Sequence, residues 1–311
     1  MIEKLIYLES VDLVNFLGVK NSNLEAIKNR FPKLKIVARG NWLKAIGEVE
    51  EVAAFEEKIN KLLDHYHEYN VLTDKAIESI VSGEKYHGQK KETDTILYGI
   101  NGKPIKARTK NQKRLVTAFD KNDLLFAVGP AGTGKTYTAI ALAVRALKSR
   151  HVRRIILSRP VVEAGEKLGF LPGDMKDKID PYLQPLYDAL QDMIPPVKLK
   201  DYMENGTIQI APLAYMRGRT LNNAFVILDE AQNTTTNQLK MFLTRMGADA
   251  KFVVTGDITQ IDLPRNQDSG LVQAMKILKD IEGIARIDFT VEDIVRHKLV
   301  QDIVEAYDKT K

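Results

Sequence analysis

The chain has 311 residues, 44% hydrophobic and 28% charged, with a net charge of +5 and no cysteine. That composition supports one large core and a smaller one, and it excludes disulfides, thiol nucleophiles and cysteine-ligated zinc. A pI near 9.0 permits a nucleic-acid partner without implying one. The first residues, "MIEKLIYLESVDL", carry Glu3, Glu9 and Asp12 and do not read as a signal peptide. No apolar run approaches the ~20 residues of a membrane span. The expectation is a cytoplasmic protein with no membrane partner.

Residues 1–80 read as a small α+β module. "KLKIVARG" and "NWLKAIGE" predict two short strands meeting at Gly40–Asn41. In "VEEVAAFEEKINKLLDHY" the residues Val52, Phe55, Ile59, Leu62, Leu63 and Tyr66 recur at helical spacing and predict a core-facing stripe. Residues 81–111 are polar and lysine-rich, and read as a linker that is either simply solvated or a basic contact for nucleic acid. Within it, Asn101-Gly102 between apolar residues predicts a hairpin.

Residues 112–311 read as one larger domain. Its strand candidates are "LLFAVG", "RRIILS", "TIQIAP", "FVILDE", "KFVVTG" and "IARIDF". Most are continuous apolar runs, as expected of strands covered on both faces, and helical patterns separate most of them. The pattern predicts a mostly parallel α/β sheet with right-handed crossovers.

The first of these strands runs into "GPAGTGKTY". Gly129, Gly134, Lys135 and Thr136 match G-x-x-x-x-G-K-[ST], between a predicted strand and a predicted helix, which is the context of a P-loop. Such a loop turns backbone N–H groups inward around phosphate oxygens, so Gly129, Pro130, Ala131, Gly132, Thr133, Gly134 and Tyr137 are expected around the nucleotide. Lys135 is expected at the β- and γ-phosphates and Thr136 at Mg2+.

"VILDEAQNTTTNQ" ends an apolar strand in two carboxylates. Asp229 is expected to hold Mg2+ from the end of a neighbouring strand, and Glu230 to act as general base on the attacking water. Gln232 and Asn233 read as relays of nucleotide state, with a helix-cap role for Asn233 and Thr234 as the competing reading. After "FVVTG" come Asp257 and Gln260, where an amide or acid can sense the γ-phosphate, and Gln260 is the better choice. The N-K-x-D guanine motif is missing, and Gln112 in "TKNQ" has an amide suited to an adenine edge.

Together these stretches resemble the PhoH family of P-loop ATPases, itself similar to the motor domain of superfamily 1 helicases. The matching segments are "TKNQ", "GPAGTGKTY", "SRPVVEAGEKLGFLPGD", "PYLQPLYDAL", "APLAYMRGRTL", "ILDEAQNTT", "MFLTRMG", "TGDITQIDLPRN" and "DIVRH", in uninterrupted order over roughly residues 105–300. The resemblance implies a RecA-like fold and an ATPase with Gln112 at the adenine, Lys135 and Thr136 at phosphates and metal, Asp229 and Glu230 as the acid pair, and Gln260 near the γ-phosphate. The N-terminal module resembles KH domains only in layout. "ARGNWLKA" lacks their G-x-x-G clamp.

"DIVRH" resembles the start of the second helicase domain, which makes Arg296 a candidate arginine finger with no second domain behind it. Hydrolysis sites generally need such an arginine. Either Arg296 folds back in cis, or a neighbouring subunit supplies one of Arg159, Arg217, Arg219, Arg245 or Arg265. The expected assembly is therefore a homo-oligomeric ring, a hexamer by preference. The glycine-rich segment at 158–174, with Arg159, Glu166 and Lys167, reads as a long loop that contacts either a nucleic-acid backbone or a neighbouring subunit. Arg217 and Arg219 around Gly218 suit a phosphate or an intersubunit carboxylate. The expected action is a helicase-like motor on RNA or another single strand. The alternative is an ATP-switched assembly factor or regulator of an RNA-processing nuclease.

Overall fold

The computed structural model describes residues 1–8, 11–83, 94–160, 175–264 and 266–295. Two compact units divide the chain: Met1–Lys106 with Leu190–Gly206, and Ala107–Ala189 with Thr207–Lys311.

The first unit opens with β1 (Ile2–Tyr7), α1 (Leu13–Leu17) and α2 (Ser22–Lys28). Asp12 caps α1 by accepting from Val14 N at 3.0 Å. Gly18-Val19-Lys20-Asn21 joins the two helices, with Asn21 at φ +62°. That glycine-led turn, and not "ARGNWLKA", lies between helices. The latter is a hairpin of β2 (Lys35–Arg39) and β3 (Trp42–Gly47), paired Arg39 to Trp42 across Gly40–Asn41 as expected. The sheet order is β1-β3-β2, antiparallel throughout.

One face of this sheet packs on α3 (Val49–Tyr69). Val52, Phe55, Ile59, Leu62 and Tyr66 are at most 2% exposed, as their spacing predicts. Leu63 is only partly buried, because it lies at the edge of the stripe. Phe16 meets Tyr66 edge-on at 5.6 Å and Phe31 meets Phe55 at 5.2 Å. Helix α4 (Asp74–Ser82) packs against α2 and α3. The predicted hairpin is β4 (Thr95–Tyr98) with β5 (Pro104–Lys106), and Asn101-Gly102 lies in its connection. Asn70, left-handed at φ +55°, ends α3 and donates its amide to Tyr98 O and Gly99 O, both at 3.0 Å.

The second unit runs α5 (Lys110–Phe119), β6 (Leu124–Val128), α6 (Lys135–Lys148), β7 (Arg154–Arg159) and the start of α7 (Met175–Met193). The rest of α7 and α8 (Pro196–Glu204) lead to β8 (Ile208–Pro212). Then follow β9 (Ala224–Leu228), α9 (Thr236–Leu243), β10 (Lys251–Gly256), α10 (Gly270–Ile277) and β11 (Ile284–Asp288). All six predicted strands are present. They form one parallel sheet in the order β11-β6-β10-β9-β7-β8. Helices α5 and α6 touch one set of strands, while Leu239 and Phe242 of α9 and Leu271 and Met275 of α10 join the core built on β6, β9 and β10. Every residue of β6 and β9 is buried. Burial on this scale, about 1.5–3 kcal/mol for each large apolar side chain, makes the sheet the stabilising centre of the unit. The chain leaves β6 for β7 and returns for β9 and β10, so the carboxyl ends of β6, β10 and β9 open on one edge beside a topological switch, where α/β sheets place their sites. Among the described residues no helix is long and apolar enough to cross a membrane.

Asn70 ties the end of α3 to the hairpin. Asn70→Ala removes the buried amide's bonds to Tyr98 O, Gly99 O and Met193 O and leaves an alanine in left-handed backbone, an expected loss of about 2–4 kcal/mol. Denaturant unfolding checks it, and a loss below about 0.5 kcal/mol would contradict this role.

Candidate active site

After Val128 the chain turns through Gly129–Gly134 into α6. Gly129 has φ +152°, and a Cβ there would lie 2.3 Å from Phe289 O, so only glycine fits between β6 and the residue after β11. Gly134, at φ +77°, caps α6, and a Cβ on it would press the Gln112 amide nitrogen at 2.9 Å. Three braces hold the loop between them. Gln112 Nε2 donates to Thr133 O at 3.0 Å, Ala131 N donates to Asp257 Oδ2 at 3.0 Å, and Val295 N donates to Gly132 O at 3.1 Å. Lys135 is 8% exposed, and its ammonium donates to Gly129 O at 2.7 Å and Pro130 O at 2.8 Å. Tyr137 is partly exposed on the first turn of α6.

The acids stand at the end of β9. Asp229 Oδ1 accepts from Thr136 Oγ1 at 2.6 Å and from Thr255 Oγ1 at 2.7 Å. Its strand is not the neighbour of the P-loop strand, as the sequence reading supposed. Strand β10 lies between them and supplies Thr255 and Asp257. Glu230 takes left-handed backbone, φ +52°, a conformation that costs a non-glycine residue about 1–3 kcal/mol. Its carboxylate pairs with Arg159 at 3.2 Å and accepts from Gln232 Nε2 at 2.5 Å. Arg159 ends β7 and is itself held by Tyr182 O at 2.9 Å.

Gln232, fully buried, links these groups. Its Oε1 accepts from Asp257 N at 3.0 Å and its Nε2 also reaches Gln260 O at 3.2 Å. Asp257 in turn accepts from Gln260 Nε2 at 2.8 Å and from the hydroxyl of Thr259 at 2.7 Å. Buried polar groups survive when they are paired this fully. Asn233 accepts from Asp262 N at 2.8 Å, and the cap of α9 is Thr235 rather than Asn233 or Thr234.

Gln112 has a structural duty that the sequence reading missed. It closes a capping box with Thr109, its Oε1 accepting from Arg108 N at 2.7 Å. The T-x-x-Q pattern at 109–112 carried that signal. Beside it Asp293, 2% exposed, accepts from Asn111 Nδ2 at 2.7 Å and Thr290 N at 2.9 Å. Burial pushes the Asp293 carboxyl up. Hydrogen bonds from Asn111, from the hydroxyl of Thr109 and from the backbone of Thr290 and Asn111 outweigh it and hold the group below its ordinary value.

The oxygen donors suit a magnesium ion, which binds through one or two protein groups and takes its remaining ligands from phosphate and water. Thr136 and Asp229 supply such a pair, and among the described residues no cluster of three or more acids or histidines offers a closed cage instead. Of the remaining candidate arginines, Arg219 reaches Gln209 Oε1 at 2.7 Å and Arg245 reaches Arg219 O at 3.2 Å. Arg217 and Tyr215 are both exposed. Arg265, Arg296, Glu166 and Lys167 lie outside the described residues.

A depressed carboxyl stabilises the fold above its unfolded value, and that contribution disappears as pH falls through the folded value. Asp293→Asn is therefore expected to cost about 1–3 kcal/mol near neutral pH, with the difference from wild type shrinking below about pH 4. Equal differences in unfolding free energy at about pH 7 and about pH 3 would contradict the assignment.

The family model described as PhoH-like protein matches residues 104–308. A PhoH-like protein of Mycobacterium tuberculosis is 50% identical over 298 residues, covering 95% of this chain and 84% of its own. One of Bacillus subtilis is 46% identical over 302 residues, covering 96% and 94%. Among solved structures, Pif1 helicase from Candida albicans overlaps 62% of this chain and 42% of its own at 12% identity and a TM-score of 0.30. With the P-loop, the acid pair and the six-stranded parallel sheet in place, the chain belongs to the PhoH-like protein family.

Proposed function

We propose that this protein binds and hydrolyses ATP, and that it does so as an oligomeric motor on RNA. The observation that carries the ATPase reading is the 2.6 Å contact of Thr136 with Asp229, beside Glu230 and at the foot of a P-loop braced by Asp257. In this reading the Lys135 ammonium exchanges its contacts with Gly129 O and Pro130 O for β- and γ-phosphate oxygens. Thr136 and Asp229 would hold Mg2+, which when bound would supply neutralising charge at the phosphates. Glu230 takes the proton of the attacking water, for which its carboxylate must leave Arg159 and Gln232. Gln260, tied to Asp257 and Gln232, senses the γ-phosphate. Gln112 gives one amide hydrogen to Thr133 O, and its second is the donor proposed for adenine.

The finger arginine is proposed to come from a neighbouring subunit in a ring. Arg217, exposed and without an ion pair among the described residues, is the described arginine that fits this best. Light scattering of a fully active protein with ATP present checks the ring, and a monodisperse monomer would sink it.

Lys135→Ala is expected to abolish turnover. Glu230→Gln is expected to keep ATP bound while slowing hydrolysis by about 10²–10⁴-fold. Normal rates in either variant would remove that residue from the mechanism. The RNA reading expects ATPase activity that rises when a single strand is added. Stimulation by a nuclease partner and by no strand would replace the motor with an assembly switch.

A further inference from the structure

Among the described residues, the sheet of the first unit is covered on one face only. Ile6, Ile36, Leu43 and Ala45 turn inward and are buried. Strand alternation sends the next residues to the opposite face. Register places Tyr7 opposite Trp42, and Trp42 opposite Arg39, in one row across three strands. The adjoining row is Leu5, Lys44 and Val37. Tyr7 is 55% exposed, Leu5 42% and Val37 39%, while Trp42 is half-buried. Solvent alone favours a polar outer face on a sheet of this kind.

The charge on this face is positive. Glu3 is paired with Lys44 at 2.5 Å. Lys35 and Arg39 are exposed and make no ion pair among the described residues. Among the same residues neither Tyr7 nor Trp42 stacks on another ring. Cross-strand neighbours stand about 5 Å apart, so the two rings and the guanidinium form one continuous strip.

We propose that this face is a binding platform for single-stranded RNA, with bases stacking on Tyr7 and Trp42 and backbone phosphates taken by Arg39 and Lys35. Aromatic rings flanked by unpaired cations suit unpaired bases on an anionic backbone, whereas a duplex hides its base faces. The proposal rests on the RNA reading above and names a site for it outside the ATPase unit.

Trp42 is the single tryptophan of the chain, so its emission reports on this face alone. The full-length protein is titrated with a uridine oligonucleotide of about twelve residues, following both Trp42 emission and the anisotropy of a labelled copy of the strand. Saturable quenching that weakens with added salt is expected. Tyr7→Ala and Arg39→Glu are each expected to weaken binding by about tenfold, and Trp42→Phe, which keeps a ring face, by no more than about threefold. Basal ATPase activity is expected to be unchanged in all three. If the strand binds without changing Trp42 emission, or binds Tyr7→Ala and Arg39→Glu as it binds wild type, the platform is refuted while the RNA motor stands. If no strand binds by anisotropy, both readings fail. If Trp42 emission changes with protein concentration alone, and Tyr7→Ala abolishes that change, a second copy covers the face and the proposal is overturned.

Discussion

The constraint on which this protein depends is a parallel sheet whose four inner strands are buried almost along their length. Such a sheet leaves little room for polar side chains along its strands. Chemistry is displaced to the carboxyl ends, and because the strands are parallel those ends share one edge. Gly129 follows β6, Arg159 ends β7, Asp229 and Glu230 follow β9, and Thr255 and Asp257 bracket the end of β10. The proposed site is the place where a hydrophobic structure permits charge.

Charge placed there has to be paired, because an unpaired buried carboxylate costs several kcal/mol. The pairing has produced a network rather than separate residues. Asp257 holds the backbone of Ala131 and the amide of Gln260 on one oxygen. Gln232 joins Asp257 to Glu230. Arg159 joins Glu230 to the carbonyl of Tyr182. A shift of any member changes the partners of the next. The network reaches the carbonyl of Tyr182 through Arg159 and the backbone of Asp262 through Asn233, whose own N–H donates to Glu230 O at 3.0 Å. The left-handed backbone of Glu230 is strain kept in place by these contacts, at the residue proposed to activate water.

The first unit is built by a different logic. Its three strands are antiparallel and, among the described residues, covered on one side, so the core takes only half of their side chains. The inner half follows the helical stripe of α3, and the outer half carries an aromatic and cationic strip that the core does not need.

Much of this was legible in the sequence. Apolar runs located the strands, continuous in most of them because β6, β7, β9 and β10 are covered on both faces. G-x-x-x-x-G-K-[ST] located the phosphate loop, because its backbone geometry demands glycine at fixed spacing. The stripe of α3 followed from 3.6-residue periodicity. Strand order was not legible, since a crossover helix can return on either side of its strand without altering a local pattern. That one uncertainty hid the insertion of β10 between β6 and β9, and with it the role of Asp257 as brace of the P-loop. It likewise hid the pairing of Arg159 with Glu230 and of Asn111 with Asp293, 182 positions away. The sequence by itself determined which segments are strands, where the P-loop lies and which acids stand at the neighbouring strand ends. Only the tertiary structure decided which of those groups touch, because contact between distant residues depends on how the strands are ordered, and no local spacing records that order.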